Sequence, residues 1–405
     1  MPVDSSSPSL YPPPTTDFQR DTKLLAAVCS EYVTHADTGW RSALAEHPDP
    51  GSLAAAADQH GVLPLFARAL SLAGIPCEIA RARARKIAFR NLALAAESVK
   101  LIGALRELGI QALAYKGPIL GQQLYGDVTL RQFRDLDILI APADILRTRD
   151  ALCQLEYQDM EQFSRPLLRK HVHSQCEWQM TGTHSGTIIE LHWALFPRYA
   201  SFDLSVIELN QASVAIDIAG ERVKALDPRH LALVLSAHGT KHFWYRLGWL
   251  VDFALVLRSY CYQEAEKLFH DAAEKGMKRI LLISAALADK VLRLRLPRAF
   301  ESALSTDRWA RVLADNMRQS LCAGVLPEDR LDENFLLLRS RERWSDRVKI
   351  VSRLAFTPGP QEWCWVALPE WAEWLYRPIR IARAARYFPR IVQRGFSSRK
   401  PSSCP

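Results

Sequence analysis

Asp135 and Asp137 stand two residues apart in Arg131-Gln132-Phe133-Arg134-Asp135-Leu136-Asp137-Ile138-Leu139-Ile140. Successive side chains on a strand point to opposite faces, so both acids share one face. Leu136, Ile138 and Ile140 share the other, which can be buried. Two carboxylates so close repel unless a positive group lies between them. A divalent metal meets that need, because Mg²⁺ is held by one or two carboxylates together with substrate phosphates. A plain solvated strand face fits the same spacing. Upstream, Lys116-Gly117-Pro118 follows the apolar run ending at Tyr115. Glycine permits close backbone approach, the free amides of a helix N-terminus attract anions, and lysine adds a point charge. Lys116 and Gly117 are therefore candidates for the triphosphate side; a simple strand-to-helix turn with an exposed lysine is the alternative. Arg131 and Arg134 precede the acids and suit either a phosphate or the acids themselves, with a surface ion pair equally open for Arg134.

Histidines offer further chemistry. His192, in Ile189-Glu190-Leu191-His192-Trp193, shares the strand face of Glu190 and is read as orienting it, touching substrate, or simply packing beside Trp193. His171 and His173 have same-face strand spacing but no evident third ligand for a metal. His238 and His242 fall at i and i+4 on an expected helix, as in zinc proteases. Gly239 stands where that chemistry requires Glu, which argues against a protease. Lys241, Arg246 and Asp252 follow closely, either facing a cleft or packing between helices.

The elements that must position these residues are legible in outline. Residues 21–108 read as helical, closing on a long pattern from Ile79 to Leu108 that Gly109 stops. Gln111 to Tyr115 reads as a first strand, Pro118 suits the first turn of a helix, and Gly126 ends that helix. Phe133 to Ile140 is a second strand, Ala143 to Leu155 a helix, and Gly186 to Trp193 a third core strand. Val214 to Ile218 and Val223 to Ala225 form a hairpin around Gly220-Glu221. Asp227 caps a helix from Arg229 to about His238, and amphipathic helices continue to about residue 325.

Four features in order carry a resemblance to a known family: Leu108-Gly109-Ile110 running into Tyr115-Lys116-Gly117; Leu124-Tyr125-Gly126-Asp127; Arg131 four residues ahead of Asp135-Leu136-Asp137; and Glu190-Leu191-His192-Trp193 about fifty residues later. His238, His242, Trp244, Arg246-Leu247 and Asp252 add a weaker match. The segment from about 95 to 255 resembles the nucleotidyltransferase fold of the DNA polymerase β type. It is most similar to uncharacterised bacterial nucleotidyltransferases with Lys-Gly in place of the usual Gly-Ser. The resemblance implies an α+β fold, with a small mixed β-sheet core and flanking α-helical regions. It implies transfer of a nucleoside monophosphate from an NTP such as ATP to an acceptor hydroxyl on a small molecule, sugar or protein, with pyrophosphate released. Asp135, Asp137 and Glu190 would be the catalytic residues and would hold two Mg²⁺ ions. Lys116, Gly117 and Arg131 would bind the nucleotide. Replacing Asp137 is expected to abolish turnover and to cost little stability, since an acid pair without its counter-ion is repulsive.

The remaining composition sets limits. A chain of 405 residues can build two or three domains. The expected divisions are a disordered tail 1–20, a helical region 21–108, the core 109–226, a helical domain 227–330, and an aromatic and basic region 331–405. No apolar run reaches the ~18 residues of a spanning helix, and the Ser- and Pro-rich start lacks an export signal. Eight scattered cysteines without a C-x-x-C pair suit free thiols in the cytoplasm. The formal net charge of +8 equals the eight arginines and lysines from Arg377 onward, where acids are lacking. A broad nucleic-acid groove is therefore not indicated. Trp363, Trp365, Trp371 and Trp374 precede this basic stretch. Three readings stay open for it: an anionic membrane surface, placing the protein peripherally at the inner membrane; a helix docked on the protein; and a nucleic-acid contact. A catalytically degenerate accessory that binds nucleotide or partner at a membrane is the rival to the enzyme.

Overall fold

A computed structural model describes residues 16–47, 50–161, 165–197, 204–323 and 336–385, apart from 367, together with 200 and 202. Five strands form a mixed sheet in the order β1-β2-β5-β4-β3. They are β1 (Leu113–Ala114), β2 (Asp135–Leu139), β3 (Tyr157–Asp159), β4 (Glu177–Gly182) and β5 (Ile188–His192). Only β2 and β5 run parallel; β1, β4 and β3 pair antiparallel with their neighbours. A separate hairpin joins β6 (Val214–Ile218) to β7 (Glu221–Ala225), turning at Gly220 with φ +81°.

The N-terminal helices are α1 (Thr16–Thr34), α2 (Trp40–Ala45), α3 (Pro50–Gln59), α4 (Leu63–Leu72) and the long α5 (Glu78–Glu107). Within the sheet region lie α6 (Gly117–Tyr125), α7 (Ile145–Gln154), α8 (Arg165–Ser174) and α9 (Val206–Gln211). The following helices are α10 (Pro228–Lys241), α11 (Leu247–Val256), α12 (Ala265–Glu274), α13 (Lys278–Leu292), α14 (Arg298–Thr306) and α15 (Arg308–Ala323). Beyond these come α16 (Trp344–Phe356), α17 (Pro360–Trp365) and α18 (Tyr376–Ala385). The fold is thus α+β, a small mixed sheet flanked by helices.

The period-2 pattern of the strands decides which face is covered. Leu136, Ile138, Trp178, Met180, Ile189 and Leu191 are buried in one cluster with Leu101 and Leu105 of α5 and Leu152 of α7. The opposite face carries Asp135, Asp137, Glu190 and His192. A second core joins α1, α3 and α4 to α10, α11, α13 and α15, so helices from both ends of the sequence share one interior. Ser30 Oγ of α1 donates to the carbonyl of Leu292 at the end of α13 at 2.6 Å.

Several expectations differ in detail. Strands β3 and β4 had not been anticipated, and β4 inserts antiparallel beside β5. His171 and His173 do not share a strand face: they lie on α8, where residues two apart point to different sides. His171 packs edge-on to Trp178 and Trp193 instead, with ring centroids 5.2 and 6.0 Å away. Helix α1 begins at Thr16, inside the span read as a tail, and residues 1–15 lie outside the described residues. Asp227 caps α10 as expected, its carboxylate accepting from the amides of Arg229 and His230. Helix α18 lies against α16 and α17, and Arg380 and Arg383 turn inward onto Glu362, which is fully buried. Arg386, Arg390, Arg394, Arg399 and Lys400 of the basic stretch lie outside the described residues. No helix among the described residues is long and apolar enough to cross a membrane.

Candidate functional site

Register on the sheet brings the acids together. On the parallel pair β2–β5, Asp137 lies opposite Glu190 and Leu139 opposite His192. Glu190 is also opposite Gln179 of β4, whose side-chain amide donates to Glu190 Oε1 at 2.8 Å. That contact leaves Oε2 facing His192 Nε2 at 3.4 Å, while Asp137 Oδ1 lies 3.3 Å from the same nitrogen. Among the described residues, Asp137, Glu190 and His192 form a group whose ligand atoms lie within 4.8 Å of one another. Asp135 shares their face but is not part of that group.

Lys116 closes the cluster. It precedes α6, and its Nζ donates to Asp137 Oδ1 at 3.0 Å, with both side chains largely buried. Burial opposes ionisation of Asp137, yet Lys116 and His192 outweigh it and hold the carboxyl below its ordinary range. Burial also opposes the Lys116 charge, and Asp137 outweighs it, so the ammonium is retained. Asp135 moves the other way: burial, then Asp137 and Glu190, push it up to about 6. The two acids of the D-x-D pair are therefore unequal, one paired and one destabilised by its neighbours.

Gly117 brings α6 up to the strand. Its φ is +52°, and a Cβ there would sit 2.9 Å from the carbonyl oxygen of Asp135. An L-residue costs about 1–2 kcal/mol in the left-handed region before any clash. Gly117→Ala is accordingly expected to lower stability by about that much or more and to reduce turnover, because relief of the contact moves the strand carrying Asp137. Urea denaturation and an activity assay measure both, and a variant matching wild type in each would show the close approach to be dispensable.

Arg131 is placed behind this turn. Its Nε donates to Asp252 Oδ2 of α11 at 2.9 Å and its Nη1 to the carbonyl of Gly117 at 3.3 Å. Tyr125 Oη donates to the other oxygen of Asp252 at 2.7 Å. Asn91 of α5, fully buried, holds the backbone before Arg131 through the carbonyls of Val128 and Arg131. Arg131 thus ties the sheet to α11. Arg134 belongs to none of these contacts.

The end of α10 faces the cluster from the helical side. His238 and His242 have ring centroids 4.8 Å apart and pack on Trp249 at 4.9 and 5.5 Å. Arg246 lies over Tyr245 and Trp249. Gly239 is explained by packing: a Cβ there would meet the fully buried ring of Trp244 at 2.4 Å. Burial and then the nearby cation Lys116 keep His238 neutral well below its ordinary value. Burial and Lys241 bring His242 down to about 3. His60 of the same region hydrogen-bonds Thr22 Oγ1 at 2.9 Å, and burial, then Arg246, pushes it down to about 4. The unfolded chain protonates this histidine near its ordinary 6.5, so its stabilising contribution is complete above that pH. The contribution is lost as pH falls from 6.5 towards 4, a window worth about 3 kcal/mol. His60→Gln is expected to flatten the fall of the urea midpoint across that range; an unchanged slope would assign the loss to other groups.

This geometry sits inside a recognisable sequence family. The family described as "Uncharacterised nucleotidyltransferase" matches residues 46–293, more than half of the chain. The chain belongs to that family. The matched span holds the sheet, α5, α6, α10 and α11, and with them every residue described above as contacting Asp137, Glu190 or Arg131. A comparison with curated proteins finds no match. Among solved structures, this chain is similar to the solution structure of the antibiotic-resistance factor ANT(2'')-Ia. The identity is 14%, the match covers 45% of this chain and 92% of that one, and the TM-score is 0.33. That likeness is too distant to carry residue roles across.

Sequence reasoning overlooked Gln179 and Glu177. Cys176, Trp178 and Met180 alternate with Glu177, Gln179 and Thr181, which is the signature of a strand covered on one side. Reading that alternation would have placed Gln179 beside Glu190.

Proposed function

We propose that this nucleotidyltransferase moves a nucleoside monophosphate from an NTP to an acceptor hydroxyl. The acceptor oxygen bonds to the α-phosphorus, the bond to the bridging oxygen of the β-phosphate breaks, pyrophosphate leaves, and the hydroxyl proton passes to the carboxylate cluster or solvent. The observation that carries the reading is the register of β2 and β5, which sets Asp137 beside Glu190 on the polar face of the sheet within a matched nucleotidyltransferase domain. A divalent ion held by this group would neutralise charge at the α-phosphate and acidify the acceptor hydroxyl.

The chain's own residues supply position and charge. Asp137 and Glu190 offer oxygen ligands from adjacent strands, and Gln179 fixes which Glu190 oxygen is free. Gly117 lets α6 approach the strand, presenting the first amides of that helix towards an anion. Lys116 lies close enough to Asp137 to pass between the carboxylate and a phosphate. Asp135 would join Asp137 and Glu190 in holding Mg²⁺; its place on the same strand face, and the burial and repulsion from Asp137 and Glu190 that oppose its charge without a cation, support that role.

The direct test is incubation with each of four labelled NTPs, Mg²⁺ or Mn²⁺ and a cell extract, following labelled product and pyrophosphate. Nucleotide-dependent pyrophosphate release supports the reading; its absence with all four nucleotides and both metals overturns it. A second reading, a nucleotide- or partner-binding accessory at an anionic membrane surface, draws on the exposed Trp365, Trp371 and Trp374 beside Arg377. Co-sedimentation with anionic vesicles, without pyrophosphate release, would favour it.

A further inference from the structure

We infer that His192 is a metal ligand, and that the Asp137–Glu190–His192 group takes a divalent transition ion in preference to Mg²⁺. The inference rests on the proposed function only in supposing that the carboxylate face is the reacting face.

His192 is 2% exposed, and neither ring nitrogen makes a hydrogen bond. The ring lies among three carboxylates at ion-pair distance without hydrogen-bond geometry to any of them, and a buried imidazole so placed is satisfied by a bound cation, a proton or a metal ion. Its Nε2 lies 3.3 Å from Asp137 Oδ1 and 3.4 Å from Glu190 Oε2, without hydrogen-bond geometry to either. Those separations suit neighbouring ligands of one ion. Bonds of about 2.1 Å give ligand–ligand edges of about 3.0 Å in an octahedron and about 3.4 Å in a tetrahedron.

The surroundings of the ring fit the same role. Glu177 Oε2 lies 3.7 Å behind His192 Nδ1, the place a carboxylate takes when it orients a metal-binding histidine. Tyr115 packs edge-on against the ring at 5.5 Å between centroids and limits its rotation. Gln179 occupies Glu190 Oε1, so the oxygen left over is the one facing Nε2. Lys116 shares Asp137 Oδ1, and an entering ion would share that oxygen with it or displace it.

Donor chemistry then sets the preference. Mg²⁺ takes oxygen ligands and keeps its waters, whereas an imidazole nitrogen favours first-row transition ions. Two carboxylates with one imidazole therefore suit Mn²⁺ or a later divalent ion better than Mg²⁺.

Mn²⁺ itself is the probe. Pulsed electron paramagnetic resonance on the full chain loaded with Mn²⁺ is expected to show a directly coordinated ¹⁴N nucleus. His192→Gln is expected to remove that signal and to weaken Mn²⁺ binding at least about tenfold while Mg²⁺ binding changes less. The wild-type spectrum decides the matter even if the variant folds poorly. Mn²⁺ bound without nitrogen coupling overturns the inference, as does equal wild-type affinity for the two ions. A chain that releases pyrophosphate with Mg²⁺ yet shows no nitrogen coupling loses this inference and keeps the proposed function. A coordinated nitrogen without pyrophosphate release keeps the ligand assignment and removes the reaction.

Discussion

Asp137→Asn is expected to lower nucleotide-dependent pyrophosphate release by about 10²–10³-fold or more. The loss follows from position: Asp137 is 3% exposed, touches Lys116 and His192, and stands opposite Glu190 on the neighbouring strand. A neutral amide at that place weakens any cation held there and the charge balance of the cluster. The same variant carries a second effect that the sequence alone gets wrong. Read as half of a repulsive acid pair, Asp137 is dispensable for folding. In the structure it is the counter-ion of a buried lysine, and removing one partner of such a pair costs on the order of 3 kcal/mol. The urea midpoint should therefore fall along with activity. Assays belong at temperatures where circular dichroism shows both proteins folded. Wild-type turnover in the Asn variant would refute the site, and an unchanged midpoint would refute the Lys116 pairing.

Arg131→Ala is expected to be the most destabilising single change near the site, by about 3–5 kcal/mol. Asp252 is 1% exposed, and without the guanidinium its buried carboxylate loses its counter-ion and keeps the Tyr125 hydroxyl as a hydrogen-bond donor. Asp252→Asn is expected to lose less, because the amide oxygen can still accept from Arg131 Nε and the guanidinium keeps the Gly117 carbonyl. The double variant Arg131→Met, Asp252→Leu is expected to be milder than the sum of the singles, because no uncompensated charge remains inside. Simple additivity in urea melts would show that the two side chains act independently. Turnover should fall in the Ala variant even where it is folded, since Arg131 also steadies the carbonyl of Gly117.

These two cases show where the sequence was readable. Period-2 spacing identified the faces of β2 and β5, and the α+β fold with flanking helices follows the expected outline. What pairs with what was less legible. Lys116 was assigned by its place before a helix, but its contact with Asp137 depends on β1 pairing antiparallel to β2, a relation between segments more than twenty residues apart. Arg131 and Asp252 are separated by 121 positions, and no local pattern couples them. His171 and His173 were misjudged because i and i+2 share a side only on a strand, and the chain there is helical. Gly239 breaks the zinc-protease spacing for a reason visible only in three dimensions, the Trp244 ring lying against it.

The interior shared by the two ends of the sequence bears on how the chain is made. Helix α1 packs on α11, α13 and α15, and its Ser30 meets a carbonyl 262 residues further on. During synthesis α1 can pack early on α2, α3 and α4, but the part of its surface that meets α11, α13 and α15 has no native partner until most of the polypeptide has left the ribosome. Such late contacts leave greasy surface open to aggregation. The amino-terminal helices are where holding chaperones would be needed, and shortening the carboxy-terminal half should yield insoluble product even when every residue of the matched β-sheet is retained.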